Sequence, residues 1–282
     1  MRALVLSGGG AKGAFQVGAL EHLLGDLEVQ YDIIAGISVG ALNGSYLSQF
    51  KAGEEKQSIK GLVDVWDRVN DARIFKPNYP VLGKGFSMAY SVIATNSLYD
   101  SSPVIELIDE VLDPARLITS GKELAIGCVS MKTGECRYWD HNSPDIVKAV
   151  GASSSYPIFF KPIVIEGENW TDGGVRNIIP IEEALRLGAT EIDMITTSPV
   201  EESFSYSSNN VISSLLTVIG ILLDEVLDTD MLLGTLIAGY EDIPLRILAP
   251  DKGLSSGLDF NQELVKLNRE TGYRAAQSVS WG

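Results

Sequence analysis

The stretch Gly36-Ile37-Ser38-Val39-Gly40 sets one serine between two glycines where an apolar run ends. It fits G-x-S-x-G, a tight strand-to-helix turn that lifts a serine hydroxyl above a sheet edge, where it can act as a nucleophile. Gly36 and Gly40 suit that turn because side chains there would clash where backbone and helix pack closely. A serine hydroxyl is a weak nucleophile and needs a base within hydrogen-bond reach. The chain has only 2 histidines. His22 falls in an apolar helical stretch, and His141 precedes a helix with no chemical context, so both are read as structural and the base is expected to be a carboxylate. Asp172 stands out among the 37 acidic residues. It ends a strand-like segment and meets Gly173 and Gly174, which let its carboxylate approach another backbone closely.

A third stretch, Ser7-Gly8-Gly9-Gly10-Ala11-Lys12-Gly13, supplies what acyl chemistry also needs. Attack on a carbonyl builds negative charge on its oxygen, and backbone N–H groups aimed at that point stabilise it. Gly8, Gly9 and Gly10 at the amino end of a helix expose such donors, and the helix dipole adds to them. Gly8, Gly10 and Gly13 also fit the G-x-G-x-x-G dinucleotide fingerprint. That reading wants an acidic residue near the end of the second strand. Asp32 precedes the apolar run instead, and Ala14-Phe15 stand where a Walker loop needs Lys and Ser or Thr. Nucleotide binding is therefore the weaker expectation.

The elements that must position these residues follow from periodicity. Residues 2–6 form a buried strand, a glycine turn follows, and a helix runs from about Ala14 to Leu24. Residues 32–37 form the next strand. A right-handed βαβ crossover makes the two strands parallel, so the glycine loop and Ser38 share one sheet edge, about 5 Å apart if the strands are neighbours. Residues 123–131 and 136–140 read as strands joined across Thr133-Gly134. Ser143 is an expected N-cap with Pro144 at the first helical position. Residues 161–174 read as a hairpin turning near Gly167 and ending at Asp172. A helix over 180–189, strands over 191–198 and 244–250, and a helix from Asn261 to Ser278 complete an α/β pattern. Residues 211–223 are the most apolar stretch, but Asp224 and Glu225 arrive before the roughly 20 residues of a membrane span, so a buried or surface-docked helix is expected, with burial in the core favoured.

With these elements placed, the chain resembles the patatin-like phospholipases. Gly8–Gly13 is similar to the family's oxyanion loop, Gly36–Gly40 to its nucleophile elbow, and Asp172-Gly173-Gly174 to its aspartate motif. Residues 142–163 and 177–180 look like the segments flanking that aspartate. The resemblance is firm over residues 1–200 and loose over 201–282. It implies a three-layer α/β/α fold with a mostly parallel central sheet, in a single domain over 1–282. It also implies a Ser-Asp dyad, with Ser38 as nucleophile, Asp172 as general base and Gly8, Gly9 and Gly10 as the oxyanion hole. Gly13, Gly36, Gly40, Gly173 and Gly174 support these motifs. Lys12 stands where members often carry arginine, whose planar fork it cannot reproduce. The implied activity is lipid acyl hydrolysis, of phospholipid or another fatty-acyl ester, through an acyl-enzyme and without metal or organic cofactor. Acyl transfer by the same dyad and non-catalytic lipid binding are the alternatives.

Composition agrees. In 282 residues the net charge of −15 argues against a nucleic-acid partner, since phosphate recognition draws on clustered Lys and Arg. Residues 182–242 hold 12 acidic and 1 basic residue, whereas 51–84 hold 7 basic and 5 acidic, which makes the latter the expected contact for an anionic surface. Within it, residues 74–90 mix Phe75, Tyr79, Phe86 and Tyr90 with Lys76 and Lys84, as a loop that docks on lipid or covers the site would, with an ordinary packed loop as the equal alternative. Cys128 and Cys136 are expected to be reduced and structural, with no metal site. The apolar run at the amino terminus is about four residues, too short for a secretory signal. A cytoplasmic protein, peripheral at the membrane, is expected.

Overall fold

The computed structural model describes residues 1–77, 97–200 and 211–281. In chain order the elements begin with β1 (Arg2–Leu6), α1 (Gly13–Leu20), β2 (Ile33–Gly36), α2 (Val39–Leu47), α3 (Glu55–Trp66), α4 (Asp71–Ile74), β3 (Lys76–Pro77) and β4 (Tyr99–Asp100). They continue with α5 (Ser102–Val111), α6 (Pro114–Ser120), β5 (Glu123–Ser130), β6 (Cys136–Trp139), α7 (Ile146–Ser153), β7 (Ile163–Ile165) and β8 (Glu168–Asp172). The last are α8 (Ile181–Arg186), β9 (Glu191–Ile195), α9 (Val211–Tyr240), β10 (Leu245–Leu248) and α10 (Gln262–Gln277).

The main sheet runs β10-β9-β1-β2-β5, all parallel, and then turns antiparallel through β8 and β7, with β6 also on β5. Alternation along the central strands feeds two cores. Leu4, Leu6 and Ile34 face one, and Ala3, Val5, Ile33 and Ala35 face the other. Helices cover both faces, because a parallel sheet buried on both sides needs them. The three-layer α/β/α architecture is the expected one.

The sheet registers explain how distant motifs meet. Ile126 of β5 pairs with Gly36 of β2 on one side and Trp139 of β6 on the other. Two residues on, Cys128 pairs with Arg137 of β6 and with Asp172 of β8. Because β6 holds one edge of β5, β2 and β8 must share the other edge, end to end. Their carboxyl ends face each other, which sets Asp172 just beyond Gly36.

Several expectations change. The first helix ends its regular part at Leu20 and continues as a wider turn over Glu21–Asp26. Ser143 does not cap α7, which starts at Ile146. Its hydroxyl instead bonds Asp140, whose side chain also takes the Asn142 amide, a local turn that outcompetes the helix start. The apolar run at 211–223 is only the first half of a 30-residue helix, α9, and part of it faces outward rather than into the core. Leu215, Val218, Ile221 and Leu222 are 47–60% exposed. Among the described residues no helix is long and apolar enough to cross a membrane.

The carboxyl-terminal helix braces the amino-terminal one at backbone distance. A Cβ on Gly18 of α1 would lie 1.8 Å from the Arg269 carbonyl oxygen, and one on Gly272 of α10 would lie 1.9 Å from that of Phe15. Neither obstacle is a flexible side chain, so the helices would have to separate. Gly272→Val should therefore cost at least about 2 kcal/mol in urea unfolding, and a loss under about 0.5 kcal/mol would show the contact to be soft.

Candidate active site

Ser38 sits at φ 56°, ψ −124°, a left-handed backbone that a serine adopts only under constraint. The constraints are visible. A Cβ on Gly36 would fall 2.3 Å from the Gly40 carbonyl oxygen, and one on Gly40 would fall 2.3 Å from that of Leu6, so Gly36 lets the turn close on itself and Gly40 lets it pack against β1. The Ser38 amide donates to Ser153 Oγ at 2.9 Å, and that hydroxyl donates to the Gly127 carbonyl at 2.7 Å, tying the turn to β5.

Asp172 is held from the same helix end. Its amide donates to the Ser155 carbonyl at 3.2 Å, which also accepts the Thr171 hydroxyl at 2.7 Å. The Ser153-Ser154-Ser155 run thus clamps both residues. Sequence reasoning gave the run no role, because periodicity assigns none to three consecutive serines. Gly173 is a glycine because its Cβ would meet the Gly127 carbonyl at 2.5 Å, whereas at Gly174 the nearest atom is Asp172 Oδ1 at 3.1 Å.

The Asp172 carboxylate is 2% exposed. Oδ1 accepts the Gly174 amide at 2.8 Å, and Oδ2 has no hydrogen-bond partner. Burial pushes its pKa up to about 7, against the downward pull of the Gly174 amide and the Ser38 hydroxyl. The Ser38 contact is thus close enough to favour the charged form, but it is not a formed hydrogen bond, since Oδ2 stays unpaired. Catalytic hydrogen bonds often tighten only when substrate is bound.

The glycine loop lies across from these groups. Gly9 has φ 149° and a Cβ there would sit 2.0 Å from Thr197 Oγ1; Gly10 has φ 58° and a Cβ there would sit 2.1 Å from the Gly257 carbonyl. Thr197 donates to the Gly8 carbonyl at 2.6 Å, and the Ala11 amide donates to Gly257 at 2.8 Å. The Gly8 amide is engaged with the Ile178 carbonyl at 3.3 Å. The amides of Gly9 and Gly10 make no hydrogen bond among the described residues, which leaves them as the free donors. A Cβ on Gly13 would meet Val39 at 2.3 Å, which fixes α1 against α2. Asp230 of α9 holds the neighbouring segment, accepting the Ile178 amide at 2.5 Å and the Ile179 amide at 3.1 Å. Its own pKa rises to about 6 through burial, offset by those two amides. Thr197, Gly257 and Asp230 were not singled out from sequence, because nothing in a lone Thr, Gly or Asp marks which distant loop it will grip.

Ser7, Gly8, Gly9, Gly10, Ser38 and Asp172 line one end of a cavity of about 390 Å³. Its other end is apolar and runs between α2, α3 and α5, past Leu42, Leu62, Val65, Trp66, Ile108 and Val111. Lys12 also lines it. His22 pairs with Asp26 at 2.9 Å, and His141 lies 3.7 Å from Glu123; neither reaches the cavity. Asp32 accepts the Arg2 amide at the amino end of β2, the opposite edge from the glycine loop, where no nucleotide on that loop could meet it. Phe75 is not a surface anchor: it stacks on Phe160 at 5.9 Å and lines the cavity, while Lys76 pairs with Asp100 at 3.3 Å. Residues 78–90 of that expected docking loop lie outside the described residues. Among the described residues, no three His, Cys, Asp or Glu side chains converge as a metal site would require. Cys128 and Cys136 are free thiols, and burial raises both pKa values, that of Cys136 to about 11.

Residues 4–185 match the family described as patatin-like phospholipase, and the chain belongs to it. It is 28% identical over 199 residues to the uncharacterized protein YjjU of Escherichia coli, covering 70% of this chain and 52% of that one. It is 25% identical to the cGAMP-activated phospholipase of Vibrio cholerae, over 71% of this chain and 62% of that one. With the mouse patatin-like phospholipase domain-containing protein 7 it shares 26% identity over 71% of this chain but only 14% of the relative. The chain therefore spans about half of the first of these relatives and a small part of the last. VipD from Legionella pneumophila shares the fold, with a TM-score of 0.50 at 15% identity over 98% of this chain and 66% of that one.

Ionising Asp172 inside the protein should have a measurable cost. Its folded-state pKa near 7 lies above the roughly 3.9 of an unfolded chain, so its contribution to stability is full below about pH 4 and lost as pH rises toward 7. Asp172→Asn cannot ionise. Its stability relative to wild type should improve by about 2 kcal/mol between about pH 5.5 and about pH 8 in urea unfolding. A difference that does not change with pH would contradict the buried-charge reading.

Proposed function

We propose that the protein hydrolyses carboxylic esters of fatty acids, phospholipids or lysophospholipids among them, with Ser38 as nucleophile and Asp172 as general base. The observation that carries this reading is the unpaired, buried Oδ2 of Asp172 beside a strained Ser38 at the polar end of an otherwise apolar cavity. Asp172 takes the proton as Ser38 Oγ adds to the ester carbonyl carbon. The oxyanion forms against the free amides of Gly9 and Gly10, while Gly8, held by Ile178 and Thr197, fixes the loop. Collapse breaks the ester bond, and the leaving alcohol takes the proton back from Asp172. Asp172 then deprotonates a water, which attacks the acyl-enzyme; the fatty acid leaves and the proton returns to Ser38 Oγ.

The apolar end of the cavity would take the acyl chain. Each buried methylene contributes about 0.8 kcal/mol, so two more carbons should raise kcat/KM on the order of 10-fold until the channel is full. The test compares wild type with Ser38→Ala on phospholipids, lysophospholipids and p-nitrophenyl esters of increasing chain length. Wild type should favour longer chains, and Ser38→Ala should lose at least about 1,000-fold in kcat while remaining folded. Full turnover in Ser38→Ala would refute the assignment, and product analysis with an added alcohol separates hydrolysis from acyl transfer.

A further inference from the structure

Helix α9 presents two apolar faces with different neighbours. Leu223 and Leu227, one turn apart, face inward and line the cavity that holds Ser38. Leu215, Val218 and Leu222 fall on another face at helical spacing and are 50%, 52% and 60% exposed. Ile221 adds 47% exposure beside them. Leu258, on the loop after β10, is 38% exposed and also lines the cavity. Exposed aliphatic side chains thus adjoin the cavity lining, with Leu222 next to Leu223 along α9 and Leu258 itself in both sets.

The helix is also mechanically part of the site. Asp230 grips Ile178 and Ile179, and the Ile178 carbonyl accepts the Gly8 amide. A surface that fixes α9 is therefore two hydrogen bonds away from the glycine loop.

Charge and residue type decide what such a face fits. Residues 211–240 contain Asp224, Glu225, Asp228 and Asp230 and no Lys, Arg or His. An anionic membrane would repel this helix, because interfacial helices that favour such membranes carry Lys and Arg on the polar face. Four of the seven basic residues at 51–84 are already matched by acidic partners. Lys56 pairs with Glu28 at 2.7 Å, Arg68 and Arg73 with Glu110 at 2.9 and 3.1 Å, and Lys76 with Asp100. The large exposed apolar residues are all aliphatic, without the Trp, Tyr and Arg that anchor protein interfaces. Resting on the acyl-ester reading of the site, we infer that the first half of α9, with Leu258, docks on an uncharged or zwitterionic lipid surface and opens the cavity directly onto it. An acyl chain then passes from lipid to channel without crossing water.

The test measures co-flotation with phosphatidylcholine vesicles and turnover on vesicle and monomeric short-chain esters, for wild type, Ser38→Ala and Leu215→Glu/Leu222→Glu. Neither Leu215 nor Leu222 lines the cavity, so the double variant should keep wild-type turnover on the monomeric ester, which also reports that it is folded. It should lose about 10-fold or more in vesicle affinity and in turnover on vesicle substrate. Replacing a third of the lipid by phosphatidylserine should weaken wild-type binding. Ser38→Ala should bind as wild type does. Unchanged vesicle binding by the double variant, or stronger wild-type binding to anionic vesicles, would overturn the inference. So would a wild-type dimer that the double variant dissociates while vesicle binding persists, since a second copy would then be the occupant. If no ester is hydrolysed but the binding pattern holds, docking stands and the hydrolase reading falls.

Discussion

Everything at this site depends on keeping one carboxylate out of water. A buried charge without a partner is costly, and Asp172 answers by favouring its neutral form until near neutral pH. One oxygen is satisfied by the Gly174 amide and the other is left open beside Ser38. In the proposed mechanism that unfilled acceptor is the resource the cavity uses, because it would be satisfied when the serine hydroxyl turns toward it or gives up its proton. The fold bears this cost, together with the positive φ of Ser38, because the surrounding packing leaves the chain no other conformation.

The sheet supplies that packing. β2 and β8 meet end to end along one side of β5, so two residues far apart in the chain are brought to the same few ångströms by backbone pairing. Side-chain bonds then refine the position: Ser153 holds the Ser38 amide, and the Ser155 carbonyl holds the Asp172 amide. The glycine loop is fixed from three directions, by Thr197 after β9, Gly257 after β10 and Ile178 under Asp230. Two of these contacts, Gly257 and Asp230, come from beyond residue 200, where the family resemblance is loose, so the C-terminal portion shapes the site.

How much could be seen beforehand follows the physics of each element. Short apolar strands bounded by glycine turns are legible, since burial on both faces and close backbone approach each restrict residue type; β1, β2, the β7–β8 hairpin and the Ser38 turn all lie where expected. The cavity walls were not legible. Leu62, Val65 and Ile108 have the hydropathy of core residues, and a sequence does not distinguish a side chain that touches another from one that borders empty space. The same blindness left 211–223 open between a buried and a surface-docked helix, with the wrong one favoured. Apolar character implied burial, whereas Leu215, Val218 and Leu222 face outward. Phe75 shows the same ambiguity, since an aromatic in a loop-like stretch could dock on lipid, cover the site or pack, and it turns inward to stack on Phe160. Nothing in the sequence foretold the Ser153–Ser155 clamp, because it depends on which strand a helix end happens to reach.

The most direct test is the rate at which an alkyl fluorophosphonate labels Ser38, followed by mass spectrometry across pH in wild type and Asp172→Asn. A buried Asp172 acting as base predicts an adduct on Ser38 whose rate of formation rises through an apparent pKa near 7 and falls at least about 100-fold in the variant. An adduct on another residue, a rate that ignores pH, or equal labelling of Asp172→Asn would contradict it.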